Sequence, residues 1–262
     1  MLLTQQDAKA LREQIQISGL QEFETEIVEQ SRAMCSLVGI EEVEPAEVGI
    51  TKFGGSPDVP ASFAQTEIKT SSGGMMQLDD CVFIFQINFE ELQPFAQGLD
   101  LPDKGLLSLF TDQEAQEGYT FYFTEQNLIR HPMPHHDCFS EMKAWTVGIE
   151  RGIDVPSFGT LLRDKIEDAG LEEAYDNFEN EHGHAADGFA QLLGLQSEME
   201  WDTRQLAVDE CKGELGDWRV LWKIFSNHNS GVEIGDLHSL YGMIRNTDLL
   251  EGKFDEVFSA FV

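Results

Sequence analysis

Nine residues, CVFIFQINF (Cys81 to Phe89), constrain this chain more than any other stretch. They are nearly all apolar, and the run is too short for a buried helix. A short apolar run bounded by turn signals reads as a strand buried on both faces, central in a sheet. The polar, Gly-rich EIKTSSGGMMQLDD before it is a loop or hairpin end, and EELQPF after it is a short helical turn. LLSLF, YTFYFT and KAWTVGIE follow as further strands, rich in aromatic and β-branched residues. WRVLWKIFS and LHSLYGMIR add two more, and DEVFSAFV reads as a final edge strand. VFIFQINF then GLLSLF resembles VLWKIFSN then LHSLYGMI in layout, as an old duplication would.

Helices flank these strands. Thr4 with Asp7 makes a capping-box start, and Gly19 breaks the helix that follows. LQEFETEIVEQSRAMCSL places Leu20, Phe23, Ile27, Met34 and Leu37 near helical spacing, so the first 40 residues read as helical. Residues 157 to 181 carry a stripe of Leu161, Leu162, Ile166 and Leu171, split by Gly170. WDTRQLAVDECKG is another short helix stopped at Gly213. The expected fold is α+β: a mostly antiparallel sheet of repeated strand units, with helices and a helical N-terminal segment. Residues 1–45 are expected to form that segment and 46–262 the α+β domain, packed as one unit.

Charge bounds the function. There are 48 acidic and 17 basic residues, a formal net of −31. Phosphate backbones and anionic membranes are repelled by such a surface, so neither nucleic acid nor membrane is an expected partner. Solubility accounts for the acidity, or a basic protein partner does, or the surface mimics nucleic acid for a DNA- or RNA-binding protein. No apolar stretch reaches the roughly 18 residues of a membrane helix, and MLLTQQDAKALREQ is no signal peptide. The expected location is the cytoplasm. Cys35, Cys81, Cys138 and Cys211 form no C-x-x-C pair and read as reduced thiols.

Three stretches offer chemistry. In KFGGSP, the amides around Gly54 and Gly55 form a potential anion nest, with Lys52 adding charge. The competing reading is a tight bend fixed by Pro57. RHPMPHHDCFS supplies His131, His135 and His136, and EHGHAADG supplies His182 and His184. Brought together, they are candidate transition-metal ligands. The spacing matches no metal motif. There is no G-x-S-x-G elbow and no phosphate-loop or dinucleotide pattern, so the chain leans away from an enzyme and no cofactor is expected.

KFGGSPDVP, FIFQINFEEL, LPDKGLLSLF, QLLGLQSEMEWD, EIGDLHSLYGMIRNTDL and KFDEVF occur in that order. The set resembles the YwqG-like family of bacterial proteins over roughly residues 50 to 262. The resemblance implies an α+β fold with repeated antiparallel units and no established enzymatic activity. It implies an interaction module, with immunity-type proteins that neutralise toxins among the candidates. The family's later strand carries Gln and Asp where this chain has Lys223 and Phe225, and Gly in place of His238. Its counterpart residues in the first unit, Gln86 and Asn88, are retained and join Lys52, Gly54 and Gly55 as candidate ligand residues. The alternative function is a small-ligand or metal-binding protein, with a hydrolase as one form of it.

Overall fold

The computed structural model describes residues 3–70, 73–125, 127–134, 139, 141–156, 163–182, 188–196, 202–234 and 239–261. Helix α1 (Gln5–Ile17) opens on the expected capping box, with Thr4 and Asp7 exchanging two hydrogen bonds of 3.1 Å. Helix α2 (Glu24–Gln30) follows. Here the helical reading ends. Ser31 turns extended (φ −65°, ψ 151°), and Arg32–Glu41 is a strand, β1. Met34 and Leu37 fit a helical period by coincidence. Met34 to Leu37 are all buried, because strands pair with β1 on both sides and both its faces are covered.

Short strands β2 (Lys52–Phe53), β3 (Asp58–Pro60), β4 (Glu67–Lys69) and β5 (Met75–Gln77) lead to β6 (Val82–Asn88). Next come α3 (Phe89–Leu92), β7 (Leu106–Thr111), β8 (Gly118–Phe123), β9 (Leu128–Arg130) and β10 (Trp145–Asp154). Helices α4 (Arg163–Ala169) and α5 (Glu172–His182) are separated at Gly170, whose φ of 69° stops the first. The chain ends through β11 (Gly188–Leu193), α6 (Thr203–Cys211), β12 (Trp218–Phe225), β13 (Ser239–Arg245), α7 (Asn246–Glu251) and β14 (Phe258–Phe261). The expected α+β class holds. The segment at β11, like the short strands β2, β3 and β9, is one that the helix and strand periods did not announce.

Ten strands form one antiparallel sheet, in the order β14-β13-β12-β11-β1-β10-β2-β6-β7-β8. Strand β6 is interior, as its composition required, and β14 is an edge. The sheet curls until its two ends meet. Gly118 N–H on β8 donates to Ser259 Oγ on β14 at 2.8 Å, and Trp222 Nε1 on β12 donates to Thr120 Oγ1 on β8 at 2.8 Å. The inner face encloses the main core, including Leu37, Phe85, Leu107, Leu192 and Trp222. On the outer face, β3, β4, β5 and β9 help cover one half of the sheet and α6 covers the other.

The two halves repeat each other. Strands β6 and β7 pair with a register shift between Phe83 and Phe85. Strands β12 and β13 pair with one between Val220 and Trp222. Superposing the shifts makes Gln86, one residue past the first, the counterpart of Lys223, one past the second. A β-bulge survives as a placed feature, so this shared irregularity supports the duplication better than the sequence echo does.

Candidate functional site

Each half buries one lysine, one glutamine and one aspartate on the outer face. In the first half Lys52 lies directly opposite Gln86 across β2 and β6. In the second, Gln191 lies opposite Lys223 across β11 and β12. The pairs are the same, but lysine and glutamine have exchanged strands. They share one face because β10 links them. Thr146 pairs with Lys52, Glu150 pairs with Ser36, and Ser36 pairs with Gln191. Thr146 and Glu150 are four residues apart on one strand and so point the same way.

The first cluster is closed by the chain itself. The Asp58 carboxylate accepts from Gln86 Nε2 at 2.8 Å, Gly49 N–H at 2.8 Å and Arg130 Nε at 2.9 Å. Lys52 Nζ lies 3.5 Å from it and donates to Glu44 Oε1 at 2.8 Å and to the Ser56 carbonyl. Burial works against the Asp58 charge, yet the Arg130 hydrogen bond, the Gly49 amide and the Lys52 ammonium outweigh it and hold the carboxyl below its ordinary value. Burial lowers Lys52 in spite of Glu44 and Asp58. Two cations face two anions, so the group is neutral as a whole.

The Gly-Gly pair serves close approach. Gly54 and Gly55 have φ of 64° and 73°. A Cβ on Gly54 would lie 2.1 Å from the Lys143 carbonyl oxygen, and one on Gly55 would lie 1.8 Å from Glu44 Oε2. Gly54 N–H is spent on the Ile84 carbonyl at 2.7 Å. Ser56 N–H donates to Glu44 Oε2 at 3.0 Å. The anion facing this turn is therefore the chain's own Glu44. Asn88 stands apart from the cluster. Its Nδ2 donates to Gly49 O at 2.8 Å, and its Oδ1 accepts from Glu90 N–H at 2.9 Å at the start of α3.

The second cluster is barer. Asp154 Oδ2 accepts from Gln191 Nε2 and from Leu195 N–H, both at 2.7 Å. Gly194 is obligatory here, because a Cβ would lie 2.2 Å from Gln191 Nε2. Lys223 Nζ sits 4.6 Å from the Phe225 ring centre and 5.6 Å from that of Tyr241. Among the described residues, Lys223 is the cation that acts on this aspartate. Burial pushes Asp154 up to about 6, against the Lys223 charge and the two hydrogen bonds. Burial pulls Lys223 down to about 8, against Asp154. A carboxyl and an amine drawn toward neutrality in one buried group mark a site candidate.

The histidines fall in separate places. His131 Nε2 is 2.8 Å from Asp79 Oδ1. His182 closes α5 with its ring 5.0 Å from that of Phe178, and burial lowers its pKa despite Glu181. His135, His136 and His184, like Cys138, lie outside the described residues. Among the described residues no group of three His, Cys, Asp or Glu side chains is placed to hold a metal. A cleft of about 250 Å³ opens beside the Gly-Gly turn, lined by Ser56, Cys81, Phe83, Met133 and Met142 among others. Burial pushes the Cys81 thiol up to about 12, so it stays protonated and a poor nucleophile.

Lysine and Gln86 were visible in the sequence at positions 52 and 86. Glu44, Asp58, Arg130, Asp154 and Gln191 were not. Among 48 acidic residues an aspartate carries no signal. Among the described residues, Asp58 and Asp154 are the buried ones, and only the tertiary structure shows it.

Fold and clusters define a class: an α+β protein of two related antiparallel units, each fastened by a buried Lys-Gln-Asp group. A family model described as a domain of unknown function, DUF1963, matches residues 51–261. The chain belongs to that family. No curated protein matches it. Among the described residues, no helix is long and apolar enough to cross a membrane.

Proposed function

We propose that this chain is a YwqG-like, non-enzymatic interaction module, immunity-like in kind, whose acidic surface receives a basic protein. One observation carries the reading: a formal charge of −31, against buried clusters whose charges are balanced internally. A surface of that sign speeds encounter with a basic partner and fixes its orientation. The internal hydrogen bonds of Asp58 and Glu44 support a structural role for the first cluster.

Native mass spectrometry of untagged protein, purified from its own host at low salt, tests the reading. The expected spectrum shows the chain with an added protein mass that is lost when salt is raised. A bare chain at low salt overturns it. The second reading, a small-ligand or metal-binding protein with possible hydrolase chemistry, draws on the cleft at Ser56 and on the histidines. It predicts an adduct of ligand or metal mass that survives high salt.

A further inference from the structure

Strand β10 lies between β1 and β2 in the middle of the ten-stranded sheet, and its neighbours on the outer face, Ser36 on β1 and Lys52 on β2, are buried. On β10 itself the outward-facing Thr146, Gly148 and Gly152 are only half-buried, and Glu150 is exposed. The outer covers of the two halves leave a strip open between them. Gly148 keeps its floor low. Over that floor lies Ile40, 70% exposed, the residue left unpaired by the register shift between Gly39 and Glu41. A Cβ at Gly148 would sit 3.3 Å from Ile40 Cδ1. Val43, 44% exposed, follows in the turn closed by its N–H to Glu41 O at 2.9 Å. Glu41 and Glu42 lie between these two residues in the chain, Glu150 lies two residues from Gly148 on the same face of β10, and all three are exposed. Lys143, bonded to Glu42 at 3.0 Å, is the counter-charge on this strip.

We propose that this strip, with Ile40 and Val43 at its centre and Glu41, Glu42 and Glu150 at its rim, is where a basic partner docks. The occupant is a basic segment that carries aliphatic side chains. An apolar centre inside a charged rim is the usual anatomy of an interface, and the carboxylates complement lysine or arginine. This deepens the reading proposed above and rests on it.

The probe is a synthetic peptide alternating lysine with leucine, with binding measured at low and at high salt. Ile40→Ser with Val43→Ser is expected to weaken binding about tenfold at both salt levels, because the aliphatic contact is insensitive to screening. Glu41→Gln, Glu42→Gln and Glu150→Gln together are expected to weaken it at low salt only. Leu250→Ser, at a 68% exposed leucine on α7, is expected to leave binding unchanged. Circular dichroism confirms that each variant is folded. If the wild type binds and the Ile40/Val43 pair binds equally well, the strip is refuted while the acidic-module reading stands. If the wild type does not bind at low salt, both fall.

Discussion

Asp154 titrates where the fold can be weighed. Folding moves its carboxyl from 3.8 to about 6. That displacement corresponds to roughly 3 kcal/mol. Between those values the folded chain holds a proton that the unfolded chain has already released. Stability contributed by the protonated group is therefore complete below 3.8 and is lost as pH rises through about 6. The variant Asp154→Asn with Lys223→Met removes both titrating members. Its stability should lack the fall of roughly 3 kcal/mol between pH 4 and 6 that the wild type shows. Self-repulsion among the surface carboxylates also changes over this range, but it is common to both proteins and cancels in the difference. Asp154→Asn alone should behave differently. At pH 7 it removes the carboxylate whose charge acts on the buried Lys223 ammonium, which should cost stability, and Lys223→Met should recover part of that loss. Urea unfolding midpoints, taken at half-unit steps from pH 4 to 8, read all three curves. Parallel curves for the wild type and the double variant, within about 0.5 kcal/mol, would refute the argument.

The first cluster should respond in the opposite sense. The Asp58 carboxyl is held below its ordinary value, so its contribution is present at neutral pH and disappears as the medium turns acid. Asp58→Ala should cost about 3–5 kcal/mol at pH 7, because buried Lys52 and Arg130 are left to share Glu44 alone, read from the urea midpoint. Gly242→Ala places a Cβ 2.1 Å from the Trp222 ring; overpacking of about 1–3 kcal/mol should lower the melting temperature. Thr120→Val removes the acceptor of the buried Trp222 Nε1. It should cost about 1–3 kcal/mol, and a shift in tryptophan fluorescence should accompany it.

Much of the fold was legible in the residues, and the reasons are local. The capping box at Thr4, the apolar run at Val82–Asn88 and the punctuation at Gly170 each announce themselves within a few positions. Strand β1 did not. Its residues look equally well placed on a helix or a strand, and partners more than 100 residues away decide the matter. The same holds for the clusters. Lys52 was noticed for its place beside two glycines, whereas its meaning comes from Gln86 across the ladder and Asp58 below it. Lys223 stood out as a departure from the family pattern. That it offsets a second buried aspartate, with glutamine and lysine exchanged between strands, is a property of register.

The Glu44 carboxylate beside Ser56 N–H and Lys52 is, in effect, a tethered ligand. A short flexible tether presents its end at an effective concentration in the millimolar range. A free carboxylate or phosphate must outcompete that standing occupant before it gains a single contact. Loosening the tether would convert the same amide and ammonium into an open anion receptor. Removing the occupant, by Glu44→Ala, would unmask it without altering one donor.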